Sequence, residues 1–141
     1  MARKIRAQRP PGGPLAKRPI IAAIDDDRVG RFALTLLLRD WGYDVVEGEN
    51  GEDVLAALGD RQAHLAAVVT DFHLQDDENG VGEALTLAEK LGRDLPTLII
   101  TGSFGRKAEE LAKPHGFRVL SKPVEPELLR QLVGAMVART A

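Results

Sequence analysis

Residues 19–47 read PIIAAIDDDRVGRFALTLLLRDWGYDVVE. An apolar run, Ile20–Ile24, ends abruptly in three carboxylates, Asp25, Asp26 and Asp27. A segment of helical period follows over Val29–Trp41, where Val29, Phe32, Ala33, Leu36 and Leu37 form one stripe and Gly42 supplies the stop. The extended pattern then resumes at Tyr43–Glu47. Runs this short suit strands rather than buried helices, so the stretch reads strand, helix, strand, with carboxylates at the carboxyl end of the first strand.

The same alternation continues along the chain. Further strands are expected at Leu65–Thr70, Thr97–Thr101 and Phe117–Leu120. Helices are expected at Gly51–Leu58, at Val81–Leu91 closed by Gly92, more weakly at Phe104–Lys113, and at Pro126–Ala138. The last has proline at its first position and a stripe of Leu129, Leu132, Val133 and Met136. Five such pairs predict an α/β domain, a single doubly wound (βα)5 parallel sheet with helices on both faces. Tyr43–Glu47 is the least apolar strand and suits a sheet edge.

The composition bounds the chemistry. A chain of 141 residues is about one domain, and with 4% aromatics its core must come from Ala, Leu, Val and Ile. The absence of Cys excludes a disulfide scaffold, a thiol nucleophile and thiolate metal sites. No apolar stretch approaches the roughly 20 residues of a membrane span, and no signal sequence follows the basic start, so a cytoplasmic protein is expected. The net charge of −2 divides unevenly. Residues 1–18 carry Arg3, Lys4, Arg6, Arg9, Lys17 and Arg18 with no acid, a charge of +6 that leaves −8 on residues 19–141. With Pro10, Pro11, Gly12, Gly13 and Pro14, the arm reads as a flexible tail or linker ahead of the folded domain. Specific nucleic-acid binding is not expected of it.

In open α/β sheets the functional crevice lies at the carboxyl ends of the strands. Those ends carry Asp25, Asp26 and Asp27 after the first strand, Asp71 after the third, Thr101 after the fourth, and Ser121, Lys122 and Pro123 after the fifth. Carboxylates gathered in one crevice repel each other unless a cation intervenes, and oxygen donors suit a hard cation such as Mg²⁺. Lys122 adds fixed positive charge and Thr101 a hydroxyl donor. The set suits a phosphoryl group, with Asp71, alone on a central strand, as the nucleophile and the triplet holding the metal.

The runs IIAAIDDD, VVTDFHL, LIITGS and VLSKPV, with 45 residues from Asp26 to Asp71, 30 more to Thr101 and 21 more to Lys122, resemble the receiver domains of two-component response regulators, the chemotaxis regulators among them. The resemblance covers residues 19–138. It implies a flavodoxin-like strand order 2-1-3-4-5 and a phosphoacceptor at Asp71, supplied by a histidine kinase or histidine phosphotransfer protein. It implies Mg²⁺ held by Asp26 and Asp71 with the backbone carbonyl of His73, and by Asp25 through water. Thr101 and Lys122 would bind the phosphoryl oxygens, and the Lys122–Pro123 peptide would be cis. A homodimer or an output partner would use the fourth helix, fifth strand and fifth helix. No enzymatic turnover beyond intrinsic phosphotransfer and autodephosphorylation is implied. The chain departs from the family pattern at Val119, where a switch aromatic is usual, at Gly102, and in a longer loop after Asp71; these traits resemble receivers of hybrid histidine kinases. Its output is not visible: the chain is either a stand-alone receiver, which Met1 favours, or one domain of a longer protein.

Two other functions remain to be weighed. Asp25-Asp26-Asp27-Arg28-Val29 fits the nucleophile motif of haloacid dehalogenase phosphatases, with Asp25 as nucleophile, but that reading leaves Asp71 idle and lacks a further acidic motif after Lys122. A phosphorylation-independent interaction domain of the same fold is the third. Asp27 and Ser103 read as helix caps, Asp76, Asp77 and Glu78 as a solvated loop run, and His64, His73 and His115 lack metal-ligand spacing.

Overall fold

A computed structural model describes residues 18–102 and 105–140. The arm up to Lys17, the expected cap Ser103 and the expected helix start Phe104 lie outside the described residues. Five parallel strands, β1 (Ile20–Ile24), β2 (Asp44–Gly48), β3 (Leu65–Asp71), β4 (Thr97–Thr101) and β5 (Arg118–Ser121), lie in the order β2-β1-β3-β4-β5. The least apolar strand, β2, is an edge as expected, and β3 is central. The helices are α1 (Arg28–Asp40), α2 (Gly51–Leu58), α3 (Gly80–Leu91), α4 (Arg106–Ala112) and α5 (Pro126–Thr140). A short 3-10 turn, Lys113–His115, continues α4.

Side chains along a strand alternate between faces, and β1 divides its burial accordingly. Ile20, Ala22 and Ile24 join Val54 and Leu58 of α2 and Leu87 of α3. Ile21 and Ala23 join Leu38 of α1 and Leu129, Val133 and Met136 of α5. A third cluster beneath α3 and α4 holds Phe72, Val81, Ile99, Ala108 and Ala112. Short polar side chains start the helices by accepting amide hydrogens left free in the first turn. Asp27 accepts from Gly30 N, Asn50 from Asp53 N and Asn79 from Gly82 N. The expected cap at Asp27 is therefore present.

Of the stripe expected on α1, only Leu37 packs on the core. Val29, Phe32 and Leu36 are 77%, 62% and 52% exposed, and Ala33 is also exposed. Leu38 is fully buried instead, with Leu34, Leu37 and Trp41 packed beside it. Its apolar residues Val29, Phe32, Ala33, Leu34, Leu36, Leu37 and Leu38 spread beyond a single stripe, so periodicity admits two faces. The geometry of the β1–α1 connection selects the one that meets the sheet.

The loop after Asp71 owes its length to a tight turn. Asp76 and Asp77 both take positive φ, 59° and 61°, and Glu78 N donates to Gln75 O at 3.1 Å, the pattern of a type I′ turn. His73 and Asn79 pair across it.

Candidate functional site

Parallel register gathers the polar strand ends at one edge of the sheet. Asp71 lies level with Ile100, and Thr101 with Ser121. Three main-chain bonds tie the loops beyond the strands to their neighbours: Asp25 N to Gly48 O at 3.1 Å, Phe72 N to Ile100 O at 2.7 Å, and Lys122 N to Thr101 O at 2.8 Å.

Lys122 Nζ lies 2.8 Å from Asp71 Oδ1. The Lys122 side chain is 48% exposed, whereas the Asp71 side chain is 11% exposed. Oδ1 is itself buried, and its close polar contact is with the Lys122 ammonium. Contact with the Asp71 carboxylate is the main cause that raises the Lys122 pKa, partial burial opposes it, and Asp25 and Asp27 add to the rise. Lys122 thus stays cationic at physiological pH. The Lys122–Pro123 peptide is cis, as expected.

Asp25 is buried, and desolvation raises its pKa above the usual carboxylate value. The Asp27 amide, which donates to Asp25 Oδ1 at 2.9 Å, opposes this rise, and the charge of Asp71 adds to it. Asp25, Asp71 and Lys122 line one cleft of about 340 Å³ with Leu34, Val124 and Leu129, between α1 and the start of α5. Asp26 instead lines the neighbouring cleft toward α2 and α3, beside Glu49 and Asp76. Thr101 is buried, and its Oγ1 has no hydrogen-bond partner. A buried hydroxyl left unpaired is costly, and here it stands one strand away from Asp71.

His73 is exposed, with its ring against the edge of Phe72. His64 and His115 are also exposed, well along the chain from the strand ends.

The family model described as "Response regulator receiver domain" matches residues 21–134. The chain belongs to the response regulator receiver family. It is a phosphoacceptor domain of two-component signalling, and the phosphatase alternative is not favoured. No curated protein matches it. Among solved structures it is similar to a response regulator receiver protein from Pseudomonas putida, with 27% identity over 85% of this chain and 98% of that one and a TM-score of 0.70. The chemotaxis protein CheY4 of Vibrio cholerae shares 21% identity over 85% of this chain and 99% of the other, TM-score 0.72. The receiver domain of the hybrid histidine kinase CckA shares 21% over 84% and 98%, TM-score 0.65. The last two show the fold alone.

In this receiver the sequence-derived residues Asp25, Asp71, Thr101 and Lys122 come to one edge, with Asp26 on the adjoining rim. Among the described residues no three acidic or histidine side chains converge into a closed metal cage. The ligand set that the resemblance implies does not need one. It has two direct carboxylates and a main-chain oxygen, and Mg²⁺ characteristically keeps several waters. The burial of Asp25 and its repulsion by the charge of Asp71, which together raise its pKa, are what such a cation relieves, so the residues present fit it.

Two contributors were not found from sequence. Gly80, at the start of α3, lies so close to β3 that a Cβ there would meet the Asp71 carbonyl oxygen at 2.2 Å. Arg31 of α1 reaches the acidic turn from the side. Neither has a local signal: a glycine before a helix and an arginine on one are both ordinary.

Proposed function

We propose that Asp71 is the phosphoacceptor of this receiver. The observation that carries the reading is the pairing of Lys122 Nζ with a nearly buried Asp71 at 2.8 Å, beside an unpartnered Thr101 hydroxyl. An Asp71 carboxylate oxygen attacks the phosphorus of a phosphohistidine. The P–N bond breaks as its electron pair leaves on the nitrogen of an imidazole protonated at its other ring nitrogen, giving an acyl phosphate and neutral histidine. The product brings new anionic oxygens into the space between Asp71, Lys122 and Thr101. Lys122 neutralises them, and the Thr101 hydroxyl gains an acceptor. Asp26, Asp71 and the His73 carbonyl would hold Mg²⁺, with Asp25 acting through water. The cation supplies charge neutralisation to the phosphoryl oxygens.

The partner is a histidine kinase or a histidine phosphotransfer protein. The exposed stripe of Val29, Phe32 and Leu36 supports docking beside the cleft, because such apolar surface is costly to leave in water. An output partner or a second copy would use α4, β5 and α5, where β5 is a sheet edge and Leu111 is exposed. With Val119 half-buried between α3 and α4, any switch there runs without an aromatic rotor.

Incubation with Mg²⁺ and acetyl phosphate should add about 80 Da, and Asp71→Asn should abolish the gain. A gain that persists in Asp71→Asn and disappears in Asp25→Asn would restore the phosphatase reading. A Phe32→Glu variant should keep its labelling by acetyl phosphate and lose phosphotransfer from a histidine-phosphorylated donor by about 10-fold or more.

A further inference from the structure

We infer that Arg31 is a positioning residue for the cation site, holding the acidic turn in register through the edge strand. The inference rests on the reading of Asp25 and Asp26 as metal-site residues.

Arg31 extends back from the first turn of α1, and its side chain is 16% exposed. Nη1 donates to the main-chain carbonyl of Asp25 at 2.6 Å, and Nε donates to Glu47 Oε1 on β2 at 3.1 Å. The bonded carbonyl belongs to the Asp25–Asp26 peptide. The plane of that peptide sets where the Asp26 side chain leaves the chain. The rest of the turn is tied as closely. Asp25 N donates to Gly48 O at 3.1 Å, Asp27 N to Asp25 Oδ1 at 2.9 Å, and Arg31 N to Asp27 O at 2.9 Å. Both main-chain polar groups of Asp25 therefore depend on neighbouring β2 residues, the amide on Gly48 directly and the carbonyl on Glu47 by way of Arg31. A planar guanidinium can donate in two fixed directions at once, which a lysine cannot.

Mg²⁺ tolerates little departure from octahedral geometry, so a ligand-bearing peptide free to rotate binds it less well. Positioning and simple charge predict opposite signs. If Arg31 acted only as a positive charge near the site, removing it would tighten cation binding. If it holds the turn, removing it weakens binding.

The test is the Mg²⁺ titration of thermal stability in wild type, Arg31→Met and Arg31→Lys, beside the Mg²⁺ dependence of acetyl phosphate labelling. The metal-free Tm of each variant isolates any general loss of stability. The Mg²⁺-induced rise in Tm reports site affinity alone. Arg31→Met should raise the half-saturating Mg²⁺ by about 10-fold in both measurements. At saturating Mg²⁺ its labelling rate should return to within about twofold of wild type, and Arg31→Lys should fall between the two. An unchanged or lowered half-saturation in Arg31→Met, with wild type responding normally, overturns the inference and leaves the site reading intact. A wild-type protein whose Tm does not respond to Mg²⁺ overturns both.

Discussion

A methyl group at Gly80 is a demanding probe of how closely α3 sits on β3, the strand that ends in Asp71. Built on the present backbone, it would lie 2.2 Å from the Asp71 carbonyl oxygen and 2.8 and 2.9 Å from Oγ1 and Cγ2 of Thr70. Non-bonded heavy atoms settle at roughly 3.5 Å, so about 1 Å of separation has to be created. The nearest obstacle is backbone, which cannot rotate aside as a side chain could. The strain falls on the hydrogen bond from Gly80 N to Phe72 O, 2.8 Å long, which joins the helix start to the residue after Asp71.

Overpacking of this kind costs about 1–3 kcal/mol, and loss of the hydrogen bond adds about 1 kcal/mol. Higher helix propensity returns at most about 1 kcal/mol. The expected net destabilisation of Gly80→Ala is about 1–3 kcal/mol. It should appear as a lower urea midpoint followed by the fluorescence of Trp41, the only tryptophan. Labelling should slow as well, because the displaced backbone carries Asp71, the proposed nucleophile. Gly134→Ala is the matched control: it lies inside α5 with nothing within 4 Å of the added methyl, and should stabilise by about 0.5–1 kcal/mol. A Gly80→Ala protein within about 0.5 kcal/mol of wild type, with unchanged labelling, would refute the argument that this glycine is required by close approach.

Other outcomes follow from the same geometry. Burial raises the Asp25 pKa, so the native state holds that proton more tightly than the unfolded chain, and stability falls as pH rises from the ordinary value near 3.8 through the raised one. Asp25→Asn should therefore be more stable than wild type at neutral pH in chelator, and the gap should close near pH 3.8. Urea midpoints at the two pH values decide this, and a wild type at least as stable at neutral pH counts against it. Replacing Asp76-Asp77 by Asn-Gly should stabilise the loop by up to about 1 kcal/mol, since both residues sit at positive φ where that pair is at ease. A loss of stability on that change would show that the aspartates make compensating contacts.

The alternation of short apolar runs with helical periods was enough to determine the α/β class, and two of the five strands have the bounds read from sequence, β1 and β4. Asp25, Asp71, Thr101 and Lys122 were legible because a parallel sheet sends every strand's carboxyl end to the same edge. Any polar residue closing an apolar run is thereby a candidate. The buried face of α1 was not legible. Helix α1 carries more than one apolar stripe, and only docking onto β1 and β2 decides that Leu38 goes inward and Phe32 outward. The direction of Asp26, toward a different cleft from Asp25, depends on a peptide plane held by contacts from β2. Gly80 and Arg31 owe their importance to neighbours 9 and 16 residues away, Asp71 and Glu47. Sequence pattern records local periodicity and the ends of runs. Close approach and long-range hydrogen bonding exist only once the strands have paired, so those roles were decided by the tertiary structure.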